Sequence, residues 1–185
     1  MGTFKNSTGV ELTATRFNTK EFQLQRKNHF EIYFTPGTDQ DIEIDPNLRF
    51  MVVSFPLPKE TTESTDVSYF NQTIKTAGKT SFDSTTLVLR DAIHYDTELN
   101  FLKWRKRVYD PATGKMGIAA DYKIDAVVLE YTPNGEEYRK WKLVGCWPAG
   151  IDYGEMSYED GGEKQLSVTI NYDYAYRDDS DSTIQ

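Results

Sequence analysis

The chain's one cysteine, Cys146, stands in the stretch Leu143-Val144-Gly145-Cys146-Trp147-Pro148-Ala149-Gly150, and its two histidines are His29 and His94. A thiol with an imidazole base at hand and Trp147 as a wall is the start of a nucleophilic site. The sequence supplies no nucleophile elbow, oxyanion loop or third orienting group to complete it. A free cysteine at a strand end is more commonly a small buried hydrophobe. Metal chemistry is equally thin, because two histidines and one cysteine need carboxylates to complete a ligand set and no spacing gathers them. The expectation is therefore a protein that is not an enzyme, with no catalytic residue, no cofactor and no metal.

Other chemistry-bearing stretches read the same way. Ala77-Gly78-Lys79-Thr80 resembles the end of a phosphate-binding loop, but Thr73 stands where that loop needs glycine, and a strand follows where a helix must open. The carboxylates Asp152, Glu155, Glu159 and Asp160 offer the two acids of a glycosidase, yet nothing near them raises a pKa, so they read as solvated loop charges. Lys103, Arg105, Lys106 and Arg107 offer a small nucleic-acid patch. They also complement a helix C-terminus and neighbouring acids, which is the simpler reading.

These residues must be placed by a fold of modest size. The chain has 185 residues, enough for one ordinary core without crosslinks, and a single cysteine excludes an internal disulfide. Its formal net charge of -8 argues against a surface that grips phosphates. No long apolar run or secretory signal stands out, so no membrane insertion is expected and synthesis in a cytoplasm is.

Residues 1–27 lack periodicity and read as an extended N-terminal arm, and 178–185 as a short acidic tail. Phe30, Ile32 and Phe34 alternate as a half-buried strand, residues 38–47 form an acidic loop, and Arg49–Phe55 is an apolar strand stopped by Pro56 and Pro58. KETTESTD, residues 59–66, reads as a polar loop. Strands are expected at 67–76 and 82–90, separated by residues 77–81. Tyr122–Tyr131 and Glu137–Val144 form a hairpin around Asn134-Gly135, and a single long strand carries Leu166, Val168, Ile170, Tyr172, Tyr174 and Tyr176 on one face. With one helix at about 96–109, capped by Asp96, the expected architecture is mainly β: an antiparallel sandwich or barrel of six or seven strands with one flanking α-helix.

That helix carries two apolar stripes at about 100° per residue. Tyr95, Leu99, Leu102 and Tyr109 line one side, and Phe101, Trp104 and Val108 the other. One core uses one stripe, so the second is expected at a possible subunit interface, and Phe101, Trp104 and Val108 are assigned to it, beneath a neighbouring subunit or the N-terminal arm. The tyrosines of the last strand point the same way, since tyrosine is favoured where subunits meet.

The order of motifs resembles one family. Lys140–Tyr176 is similar to the C-terminal half of tail tube proteins of contractile-tailed bacteriophages and related phage-derived contractile injection systems. There a strand ends in Gly-x-Trp-Pro, a short stretch leads to Gly-Glu, and a long strand closes in Asp-Tyr. The matching positions are Gly145, Trp147, Pro148, Gly154, Glu155, Asp173 and Tyr174, with Gly78 and Phe82 from the middle segment and Asp91–Trp104 leading into the helix. The resemblance spans residues 28–176. Residues 35–59, 111–120 and the N-terminal arm match no family pattern.

The resemblance implies one tail-tube domain over residues 1–185, in which the signature glycines, Trp147, Pro148 and Tyr174 are structural. It implies a non-enzymatic virion protein, assembled in the bacterial host cytoplasm and located in the phage tail. Hexameric rings of the chain would stack into the inner tube of a contractile sheath. The implied partners are other copies of itself, sheath, baseplate or tube-initiator and tail-terminator proteins, and tape measure protein and DNA in the lumen without tight binding. An acidic subunit suits a channel through which DNA must slide, because a wall that does not neutralise phosphates gains nothing from counterion release. The alternatives are the tube protein of a phage-like injection or secretion system, a baseplate tube initiator, and a monomeric ligand-binding β-sandwich.

Overall fold

Residues 24–37, 42–159 and 161–178 are described by a computed structural model of the chain. The alternating segment forms β1, Phe30–Thr35, as expected. Between it and the next strand, Asp45 accepts a hydrogen bond from the Asn47 N–H at 2.8 Å and Pro46 fixes the first turn of a 3-10 helix, Pro46–Met51. The expected strand over 49–55 is thereby shortened to β2, Val52–Ser54.

A long hairpin follows, β3 (Glu60–Tyr69) and β4 (Gln72–Phe82). Two sequence expectations are corrected here. Of the polar stretch 59–66, residues 60–66 are strand rather than loop, and 77–81 lies inside β4 rather than between strands. Threonine and serine supply the β-branched and cross-strand pairs, including Thr62 Oγ1 and Thr80 Oγ1 at 2.8 Å, so the ladder forms without the alternation of burial that sequence reading relies on. The chain continues through β5 (Thr85–Arg90) and α1 (Thr97–Val108), where the Asp96 carboxylate accepts from the Leu99 N–H at 3.1 Å. A small ribbon, β6 (Tyr109–Asp110) and β7 (Lys115–Met116), and a short helix α2 (Ala119–Tyr122) lead to β8 (Ile124–Tyr131) and β9 (Glu137–Asp152). Two last strands, β10 (Gln165–Asn171) and β11 (Tyr174–Asp178), replace the single one expected.

The main sheet has seven strands, all paired antiparallel, in the order β1-β8-β9-β10-β5-β2 with β11 also on β9. It folds into two layers because β9 belongs to both. Lys140–Val144 pairs with β11 and with β8, whereas Trp147–Asp152 pairs with β10. Strands that switch sheets through a bend make the corners of β-sandwiches. The mainly β, antiparallel sandwich with a flanking helix is thus as expected from sequence.

One apolar cluster fills the space between the layers and α1. Leu87 and Leu89 of β5, Leu166, Val168 and Ile170 of β10, and Leu143 and Cys146 of β9 are all at most 1% exposed. Of the proposed arm, residues 24–27 are described and Gln25 Nε2 donates to the Tyr131 carbonyl at 2.9 Å; residues 1–23 lie outside the described residues. Of the proposed tail, Asp178 is the last residue of β11 and residues 179–185 lie outside.

Candidate assembly surfaces

Gly145 is where β9 changes sheets. Its φ is +70°, a conformation that L side chains rarely adopt, its N–H donates to Asp125 Oδ1 at 3.1 Å, and a Cβ added there would meet the Asp173 carboxylate. Asp173 is held by Lys123, whose Nζ lies 2.6 and 2.8 Å from its two carboxylate oxygens, and the Asp173 N–H donates to the Val144 carbonyl at 2.9 Å. The same bend that carries β9 across therefore breaks the last strand at Tyr172-Asp173. The strand does not end at Val144, as expected from the sequence, but runs on through Pro148 to Asp152. Pro148 lies within β9 opposite Ile170, where the register shifts, a position that tolerates the missing N–H. Trp147 is half-buried, 6.0 Å from the Tyr122 ring.

Cys146, beside this bend, is fully buried and its Sγ sits 3.6 Å from the Leu143 carbonyl. Burial, then the nearby Asp125 and Asp173 charges, push its pKa up to about 12, which removes the thiolate a nucleophile requires. Among the described residues, no group of three or more His, Cys, Asp and Glu side chains is arranged to hold a metal ion.

The other signature residues are spread through the fold. Gly154, at φ +75°, lies so close to the Gln165 carbonyl that a Cβ would collide with it, and its N–H donates to Asp152 Oδ1 at 3.0 Å. Asp152, Glu155 and Glu159 are exposed, and Asp160 lies outside the described residues. Gly78 passes the kink of β3, where a Cβ would sit 3.1 Å from both the Glu63 carbonyl and Thr65 Oγ1. Phe82 packs against the core with its ring 6.0 Å from Tyr172. Tyr174 is exposed on β11, stacked on Tyr176 at 6.3 Å.

The helix requires a correction. Phe101, Trp104 and Val108, assigned from sequence to a subunit interface, are 1%, 1% and 4% exposed within the single chain. Trp104 Nε1 donates to the Tyr122 carbonyl at 2.7 Å and its ring meets Phe34 edge-on at 5.2 Å. This stripe is the core stripe of α1. Leu99 and Tyr109, on the stripe taken for core, are about 40% exposed. Helical periodicity gives two stripes but not which one the chain's own sheet covers.

The apolar surface the sequence did not reveal is the β3–β4 hairpin. Every residue of β3 is exposed, and so are those of β4 up to Ser81. The cross-strand pairs Val67/Ile74, Tyr69/Gln72 and Thr65/Thr76 share one face, and Ser68/Thr73, Asp66/Lys75 and Ser64/Ala77 share the other. Phe70, at φ 50° in the two-residue turn, is 91% exposed, with its ring 4.7 Å from Tyr69. A single hairpin is at best marginal in water without something packed against it. Such a turn favours Asn-Gly, so Phe70-Asn71 gave no signal from sequence.

Among the described residues β1 pairs only with β8, β2 only with β5 and β11 only with β9. Sheet edges and an exposed amphipathic hairpin are surfaces on which another chain can pair or pack.

No protein-family model matches the chain, and no curated protein matches it. Solved structures do. One in the cryo-EM structure of the anti-feeding prophage tube-terminating cap superposes with a TM-score of 0.65 at 11% identity, covering 84% of this chain and 91% of that one. One in the sheath/tube terminator of the extracellular contractile injection system PVC, in its extended state, gives 0.61 at 14% identity, with 84% and 97% covered. One in the sheath-tube complex of PVC in the extended state gives 0.59 at 13% identity, with 90% and 98% covered. The chain has the fold of tube and cap proteins of contractile injection systems.

Proposed function

We propose that the chain is a structural tube subunit, and that its copies form hexameric rings that stack into the inner tube of a contractile phage-type tail. The uncovered β3–β4 hairpin carries this reading. Its apolar tip has no partner within the described part of the chain, on a fold shared with components of tubes and tube caps. A site on one face of a subunit that binds a different site on the next propagates the contact, closing into rings or extending as filaments. In a phage tail the tube would pass DNA into the host and contact sheath, baseplate and terminator proteins. The acidic chain fits a lumen that does not hold phosphates. The tube of a phage-like injection system is the same reading with a different cargo.

Sedimentation of the purified full chain over rising concentration tests the proposal. Large discrete assemblies that grow with concentration support it. A compact monomer throughout the range contradicts it and favours the monomeric ligand-binding sandwich.

A further inference from the structure

Asn134-Gly135, which turns β8 into β9, is the only place in the chain where glycine follows asparagine. Both residues are exposed, and a Cβ added to Gly135 would meet no atom within 4 Å. The pair has a reactivity besides its turn geometry. The side-chain carbonyl carbon of an asparagine and the backbone nitrogen of the next residue can close a five-membered ring, and a glycine leaves that nitrogen unshielded. Asn71, in the β3–β4 turn, is followed by Gln72 and lacks that opening.

The closed turn restrains this chemistry. The Gly135 N–H donates to the Thr132 carbonyl at 2.9 Å, the Thr132 N–H to the Glu136 carbonyl at 2.8 Å, and the Glu136 N–H to Thr132 Oγ1 at 3.2 Å. The attacking nitrogen is thus engaged, and ring closure waits for a local opening of the hairpin end. Two features keep that opening local: residues 133–137 are all exposed, and the β8–β9 register already shifts between Glu130 and Tyr131.

We infer that Asn134 is a site of self-deamidation, gated by opening of the 132–136 turn. The Gly135 nitrogen loses its proton and attacks the Asn134 side-chain carbonyl carbon. The new C–N bond forms as the bond to the side-chain nitrogen breaks, and that nitrogen leaves as ammonia, taking up a proton that balances the one Gly135 lost. Water then opens the resulting succinimide at either carbonyl, giving aspartate or, with the backbone rerouted through the side chain, isoaspartate. Either product adds a carboxylate beside Glu136 and Glu137, where like charges repel. Isoaspartate also inserts a methylene group into a turn closed by short backbone hydrogen bonds, so pairing frays back toward Tyr131 and Glu137. The Tyr131 N–H donates to the His29 carbonyl at 2.9 Å, so the fraying reaches the entry to β1. The change is one-way, and the folded turn sets its pace.

The test incubates the full native chain in mildly alkaline buffer beside a sample in guanidinium chloride. Peptide mapping by mass spectrometry and methyl transfer by an isoaspartyl methyltransferase follow residue 134. Mapping also separates it from Asp160-Gly161, which forms isoaspartate without releasing ammonia. Asn134 is expected to convert in the native chain at least about tenfold more slowly than in denaturant, because hydrogen bonds of the turn must open first. Thr132→Ala, which removes the bond to the Glu136 N–H, is expected to speed the native reaction severalfold, and Asn134→Gln to prevent it. In the converted native chain the amides of 131–137 are expected to exchange faster. A native chain still unchanged at 134 long after the denatured sample has fully converted overturns the site. Equal rates in the two samples, or no acceleration in Thr132→Ala, overturn the gating by the turn.

Discussion

The Asp173 carboxylate occupies the place where a side chain on Gly145 would begin, and Lys123 holds it there. This pairing couples the bend in β9 to the break between β10 and β11, and so fixes how one strand serves two layers.

Gly145→Ala is expected to destabilise the fold by about 2–4 kcal/mol, from the positive φ and from displacing Asp173 from Lys123. Thermal or urea unfolding measures it, and an alanine variant as stable as the native chain would remove the bend from the account.

Trp104→Ala is expected to cost about 3–5 kcal/mol, because it empties a fully buried site and frees the Tyr122 carbonyl. Leu99→Glu, on the exposed stripe, is expected to change stability by no more than about 0.5–1 kcal/mol. Equal costs for the two variants would contradict the assignment of the core stripe.

The Cys146 thiol is expected to resist alkylation at pH 8 in the native chain and to react at once in denaturant, because burial keeps it protonated. Its folded pKa of about 12 lies above its ordinary value near 9, so the neutral thiol is favoured by folding. That contribution is fully present below pH 9 and is lost as pH rises toward 12, when the unfolded chain ionises first. Tyr131, pushed up to about 12 by burial and then by its hydrogen bond to Glu31, acts in the same direction above pH 10. Stability measured from pH 8 to 11 should fall, and Cys146→Ala should fall less steeply. Rapid native labelling at pH 8 would show the thiol to be accessible.

Tyr69→Asp together with Phe70→Asp is expected to leave the melting temperature of the unassembled chain nearly unchanged, since both side chains are exposed, while abolishing assembly. Light scattering and a thermal melt on the same sample separate the two effects. Full assembly of this variant would exclude the hairpin as a contact.

The sequence revealed the parts of the fold that have a one-sided pattern. The alternation in β1 and β10, the Asn134-Gly135 hairpin and the Asp96 cap each leave a local signal, and those elements form there, although β9 runs on past Val144 to Asp152 and the last strand divides at Asp173. The hairpin β3–β4 was legible only in part, as a single strand over 67–76, because both of its faces are exposed and its strands are rich in threonine and serine. The break at Asp173 was hidden for another reason: it depends on contacts with Val144, Lys123 and Gly145, distant in sequence. The choice between the two stripes of α1 likewise depends on Phe34 and Tyr122, which periodicity within the helix does not report.

Cryo-EM of the purified full chain at high concentration is the most direct test of the central claim. Hollow rings with six subunits, stacked into tubes of constant diameter, with the β3–β4 hairpins buried between subunits, are expected. A field of compact single chains, or assemblies with no central channel, would contradict it.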